Sequence, residues 1–247
     1  MITEIIITVS ESKRLIAKGV TKLPSVQQAM ADGIVIIGRG TTNGYVYEEL
    51  LGTQIDKTRL IAGIVLPAKK ERPEALSSPK LPDLVIRKGQ LLEDTSLEQI
   101  FPEMGPRDIF IKGGNALDYK NKSVGILIGN PTGGTMVWIG GIIAKKIELV
   151  LPIGLEKLVY SDINELSLLS RRSDAYRRIP SLMPVSGTIV TEIEALKVLC
   201  GVNAVLYSAG GIAGAEGSVR LLLEGDKNNL ENALSLVNEI QGEPPFA

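Results

Sequence analysis

The chain reads as a mixed α/β protein, a mostly parallel open sheet with helices on both faces followed by a small α+β domain of βαββα order. Three observations predict this. Short β-branched runs such as Ile34-Val35-Ile36-Ile37 alternate with stretches of helical periodicity, as in parallel sheets whose strands are covered on both faces. Glycine-bearing turns directly follow several of these runs. After Pro184 the order becomes strand, helix, strand, strand, helix, which suits a split βαβ sandwich.

Each element has a local reason. Glu11 to Gly19 and Ser25 to Ala31 read as helices, and Pro24 suits a helix start. Ile34 to Ile37 reads as a buried strand that runs through Gly38 to Asn43 into a helix over Tyr45 to Leu51. Further strands are predicted at Leu60 to Leu66, Leu84 to Arg87, Ile109 to Lys112, Val124 to Ile128 and Glu148 to Leu151. Helices are predicted at Ser96 to Met104 and Thr135 to Ile147. Lys69 to Pro82 is polar, holds three prolines and reads as an exposed loop. Beyond Pro184 come strands at Thr188 to Val190, Ala204 to Ser208 and Ser218 to Glu224, with helices at Glu192 to Cys200 and Leu230 to Ile240. The expected division is an α/β ligand-binding domain over 1–183 and a small α+β domain over 184–247, suited to oligomerisation.

Composition removes several function classes. The 247 residues carry 27 Lys+Arg against 28 Asp+Glu, a formal net charge of -1, so the basic excess of a nucleic-acid binder is missing. There is no histidine, which excludes a Ser-His-Asp triad, a Cys-His pair and a His-ligated metal. The single Cys200 lies in an apolar run and reads as a buried core thiol, with neither disulfide nor thiolate zinc site in reach. No metal-ligand spacing stands out. The longest apolar stretch, Gly133 to Ala144, is too short to span a bilayer. Ile5 to Val9 is flanked by Glu4, Glu11, Lys13 and Arg14, unlike a signal peptide. A cytoplasmic protein with no membrane and no nucleic-acid partner is expected.

Chemistry concentrates in three turns, each after a predicted strand: Gly38-Arg39-Gly40-Thr41-Thr42-Asn43, Lys112-Gly113-Gly114-Asn115-Ala116-Leu117-Asp118, and Gly129-Asn130-Pro131-Thr132-Gly133-Gly134-Thr135. In a parallel sheet such turns converge at the carboxyl edge, where ligands of open α/β folds bind. Glycine lets backbone N–H groups approach an anion, and a following helix N-terminus adds favourable potential. Any one turn is explained as well by tight packing. Three together, two carrying a cation, point to an anion or phosphate site. None matches a Walker A loop or a dinucleotide fingerprint. Without histidine, the acid/base candidates are Asp118, Glu156 and Lys112, with Lys157 as a further ligand-binding cation. Arg171, Arg172, Arg177 and Arg178 could clamp phosphate, although a solvated or subunit-contacting helix face is the simpler reading.

Residues Ile34 to Leu51 resemble the first strand-loop-helix of the superfamily containing ribose-5-phosphate isomerase, glucosamine-6-phosphate deaminase and the CoA transferases. Asp108 to Asp118, then Ser123 to Ile147 and Leu149 to Pro152, resemble the segments that follow in that superfamily. The branch of methylthioribose-1-phosphate isomerase and initiation factor 2B is the most similar. The resemblance covers about 34–159. It implies a phosphorylated or CoA-linked small metabolite as partner, and isomerase or acyl-transfer chemistry. Asn115 stands near the place of that branch's catalytic Asp, and its Cys partner is absent; Glu156 matches the transferase nucleophile only in chemistry. The initiation-factor branch implies an alternative, a non-catalytic ligand-sensing protein. Through Ser208-Ala209-Gly210-Gly211, Ser218-Val219-Arg220 and Gly225-Asp226, Thr188 to Ile240 is loosely similar to the domain of bacterial microcompartment shell proteins; the Lys-rich edge motif of those shells is missing, and a generic βαββα domain for homo-oligomerisation is the simpler expectation. No cofactor is demanded, and CoA or Mg²⁺ stays open.

Overall fold

The computed structural model describes residues 1–69 and 71–246. In chain order the strands and helices are β1 (Ile2–Ile7), α1 (Val9–Thr21), α2 (Pro24–Asp32), β2 (Ile34–Ile37), α3 (Thr41–Leu51), β3 (Leu84–Arg87), β4 (Gln90–Leu92), α4 (Leu97–Ile100), β5 (Ile109–Ile111), β6 (Ala116–Asp118), β7 (Ser123–Ile128), α5 (Ile139–Ala144), β8 (Glu148–Pro152), α6 (Ile163–Ser170), β9 (Ser181–Val185), β10 (Thr188–Val190), α7 (Glu192–Cys200), β11 (Asn203–Ala209), β12 (Val219–Glu224) and α8 (Lys227–Ile240). The expected mixed α/β architecture on a mostly parallel sheet is present. The central sheet has six strands in the order β10-β8-β5-β2-β3-β4. Its first four are mutually parallel, and β3 and β4 close one side as an antiparallel hairpin.

The central strands β2 and β5 are short and buried along their whole length. All four residues of β2 and all three of β5 are buried, and uninterrupted β-branched sequence is what such positions require. Helix α1 packs against both α3 and α7. Its Arg14 guanidinium reaches Glu48 at 2.7 Å, Glu49 at 3.0 Å and Glu243 at 2.9 Å, tying three segments together.

Several expectations are corrected. The strand expected at Leu60 to Leu66 is a short 3₁₀ turn at Lys57–Leu60 followed by irregular chain; among the described residues no neighbouring strand offers it a ladder. β7 leaves the central sheet and pairs antiparallel with β6 and β9 in a sheet of its own. The helix expected over Thr135 to Ile147 divides into a 3₁₀ segment, Gly134–Trp138, and α5. Consecutive positive φ angles at Gly133 (82°) and Gly134 (54°) turn the chain into that segment, a conformation glycine adopts without Cβ strain. In the loop expected at Lys69 to Pro82, Glu74–Ser77 forms a 3₁₀ turn; Lys70 lies outside the described residues.

The expected division at residue 183 does not coincide with a gap in pairing or packing. β10 joins the central sheet beside β8, and β1 from the opposite end of the chain pairs along β12. One hydrophobic cluster includes Ile36, Phe110 and Val150 together with Val190, Leu196 and Leu221. Among the described residues, no helix is long and apolar enough to cross a membrane.

Candidate functional site

Parallel pairing brings the first two predicted turns side by side. Ile37 at the end of β2 is paired with Ile111 at the end of β5, so both turns leave the same carboxyl edge. The Gly38 N–H donates to the Ile111 carbonyl at 2.9 Å. A Cβ on Gly38 would stand 2.9 Å from Lys112 Cδ and 3.2 Å from the Ile111 oxygen, so the glycine leaves room for the lysine to run past. Lys112 then donates through Nζ to the Arg39 carbonyl at 2.7 Å. Asn43 braces the same corner, its Nδ2 donating to the Gly38 carbonyl at 2.5 Å. Asn43 is fully buried, and among the described residues its Oδ1 has no partner.

These turns line a cleft of about 420 Å³. Arg39, Lys112 and Lys157 bring cations to it, and Thr41 and Thr42 bring hydroxyls from the start of α3. The helix opens on Gly40, which has no side chain to cap it, so its first N–H groups lack intrahelical acceptors. Gly113, Gly114 and Asn115 form another side of the cleft. The opposing wall is apolar, with Ile61, Ile64, Ile126 and Leu127. Among the described residues no Asp or Glu lines the cleft. Burial lowers the Lys112 pKa below the ordinary lysine value; Asp83 opposes that shift, and the cations of Arg39 and Lys157 add to it.

The third predicted turn sits differently. Because β7 lies outside the central sheet, the third contribution to the cleft comes from the turn after β8, which carries Lys157. Thr132, Gly134 and Thr135 line a neighbouring cavity of about 670 Å³ that shares Arg39 with the cleft. Asp83 links the two spaces: its Oδ1 accepts from the Arg39 N–H at 2.8 Å and its Oδ2 from the Thr135 hydroxyl at 2.8 Å. Asn130 accepts from the Thr132 N–H at 3.0 Å within its own turn and lines a separate hollow. A further hollow beside Gly33 and Asp108 lies at the other end of β2 and β5, away from the turns.

The acid/base candidates separate. Asp118 lies in β6 and its carboxylate caps the following turn, accepting from the Asn121 N–H at 3.0 Å and from its side-chain amide at 2.8 Å. Those bonds hold it below the usual carboxylate range. It does not line the cleft. Asn115 spends its Oδ1 on the Leu127 N–H at 3.0 Å. Glu156 lies 3.8 Å from Lys157 and keeps one buried carboxylate oxygen without a partner. The arginine cluster stays outside: Arg172 pairs with Asp174, and Arg178 donates to the Gly129 carbonyl at 2.9 Å.

Behind Glu156 is a buried polar cluster that the sequence does not announce. Glu192, fully buried at the start of α7, accepts from the Ser12 hydroxyl at 2.6 Å and from the Leu155 N–H at 3.0 Å. Burial, with the Glu156 charge adding to it, pushes its pKa up to about 7. Burial likewise lowers Lys13 to about 8, against the opposing pull of Glu156. A first-turn glutamate after Thr191 looks like ordinary helix capping, so only packing reveals this role. Asp83 was equally illegible, an acid at a strand entrance without a motif.

Comparison of the chain with models of protein families, with curated proteins and with solved structures returns no match. Among the described residues no group of three or more His, Cys, Asp or Glu side chains is placed to hold a metal ion.

Proposed function

We propose that the protein binds a small phosphorylated or CoA-linked metabolite in the cleft between the turns after β2, β5 and β8. The observation that carries this reading is the convergence of Arg39, Lys112 and Lys157 on the start of α3, with no acidic side chain lining the cleft among the described residues. Cations and free helix N–H groups together favour a phosphate over a neutral ligand. The apolar wall of Ile61, Ile64 and Ile126 suits the carbon body of such a ligand.

Within the cleft the group fitted for proton transfer is Lys112. Its lowered pKa enlarges the fraction of neutral amine at physiological pH. An isomerase or acyl-transfer reaction would use this lysine on the bound metabolite, with Lys157 facing the developing negative charge. A second reading, a non-catalytic ligand sensor in the same cytoplasmic setting, is favoured by one observation. The cleft lining offers no carboxylate base, and Asn115 is engaged with the backbone.

Thermal shift with ribose 5-phosphate, inorganic phosphate and acetyl-CoA, with and without Mg²⁺, tests the binding. A ligand at 100 times its dissociation constant adds about 2.7 kcal/mol, or roughly 5–10 °C for a chain of this size. The shift is expected to vanish in Arg39→Ala and Lys157→Ala. Absence of any shift in the wild type sinks the proposal. NMR of the bound metabolite over time separates enzyme from sensor, since only an enzyme changes its spectrum.

A further inference from the structure

We propose that the metabolite of the cleft is a nucleotide, with its phosphate among Arg39, Lys112 and Lys157 and its base against Trp138. This rests on the cleft reading above and extends it into the neighbouring cavity. Arg39 lines both spaces, so the two adjoin at that side chain. Their chemistry is complementary in the way a nucleotide is. Among the described residues the cleft is lined by cations and no acid; the second cavity adds Asp83, Glu98, Thr132 and Trp138, and its own Lys80 is engaged with the Thr58 and Leu76 carbonyls. An exocyclic amino group of a base needs acceptors of that kind, and its ring needs a flat apolar face.

Trp138 is the chain's sole tryptophan. It is half-buried and packs against Phe101, with ring centroids 4.6 Å apart at 41°. That contact fixes the indole while it lines the cavity. Its distance from the phosphate turn is also held. Asp83 grips the Arg39 backbone and the Thr135 hydroxyl together, and Thr135 and Trp138 share one 3₁₀ segment. A continuous chain of contacts therefore links the two subsites.

The test compares AMP with ribose 5-phosphate, in which the anomeric hydroxyl stands in place of adenine. AMP is expected to bind about tenfold tighter or more, the worth of one stacked base. Because a single indole reports, AMP should quench the intrinsic tryptophan fluorescence saturably and ribose 5-phosphate should leave it unchanged. In calorimetry, Trp138→Ala should remove the AMP advantage and leave ribose 5-phosphate binding as it was, while Trp138→Phe retains most of the advantage. If Trp138→Ala misfolds, Glu98→Gln and Thr132→Val, both exposed, should weaken AMP about two- to fivefold and spare ribose 5-phosphate. Equal affinities for the two ligands, insensitive to these variants, would overturn the base subsite and leave the cleft standing. Failure of both ligands to bind the wild type would overturn the cleft reading and this one together.

Discussion

The Lys112 ammonium donates to the Arg39 carbonyl at 2.7 Å, bridging from the turn after β5 to the turn after β2. One side chain thus clamps the two loops and faces the cleft they form. Structure and binding are coupled at that atom.

Lys112→Met is expected to damage both. The Arg39 carbonyl loses its partner in a partly buried site, at a cost of about 1–3 kcal/mol. The melting temperature should fall by roughly 2–12 °C, and ribose 5-phosphate binding should be lost at temperatures where the variant is still folded. A variant that melts lower but binds normally would show that Lys112 serves structure alone.

The paired glycines of the second turn should respond oppositely to a methyl group. A Cβ on Gly114 would lie 2.2 Å from Val124 Cγ1 and 2.9 Å from Ile153 Cδ1, whereas one on Gly113 meets nothing closer than 3.6 Å. Gly114→Ala should cost about 1–3 kcal/mol by overpacking, partly recovered by a second change, Val124→Ala. Gly113→Ala should fold as the wild type does. Urea denaturation of the three variants distinguishes these outcomes.

Stability should depend on pH through Glu192. Its carboxyl titrates at about 7 when folded against 4.5 as a model group. Between those values the folded chain holds a proton that the unfolded chain has released. This group's contribution is therefore complete below about pH 4.5 and is lost as pH rises through 7, by about 3 kcal/mol. Glu192→Gln keeps the shape, accepts from the Leu155 N–H and can donate to Ser12. Melting temperatures taken from pH 5 to pH 8 should show the variant gaining on the wild type as pH rises. Parallel curves would refute the assignment.

Arg14→Met tests the joint between α1, α3 and the C-terminal segment. It leaves Glu48, with a side chain 2% exposed, paired only with Lys57 at 3.0 Å. Breaking a buried pair from one side costs about 3 kcal/mol. The urea midpoint should fall accordingly, and Glu243→Gln, at the more exposed end of the network, should cost less.

Elements with a local cause were legible. β2 follows from four consecutive β-branched residues ending in a glycine turn, and α7 from Thr191 with Glu194 in a capping box. β1 was not, because its alternation acquires meaning only beside β12: Ile5 and Ile7 turn inward while Ile6 faces out. The apolar run at Leu60 to Leu66 has strand composition but no ladder partner, and part of it becomes a wall of the cleft. Of the candidate site, Arg39, Thr41, Thr42, Lys112 and Lys157 could be named from the chain. Their grouping with a turn after β8 rather than β7 could not, since β7 is drawn into a separate sheet between β6 and β9, the latter more than fifty residues downstream.

The amino-acid order alone settled the alternating helices and strands, the absence of histidine chemistry and the glycine turns beside cationic residues. All of these are properties of composition or of neighbouring residues. Tertiary structure decided that Asp118 caps a turn, that Glu192 is sealed in the core beside Glu156, and that Asp83 binds Arg39 to Thr135. Burial and partnership between distant residues arise only when the chain folds, and they shift the titration of Lys112 and Glu192 and fix the reach of Asp83.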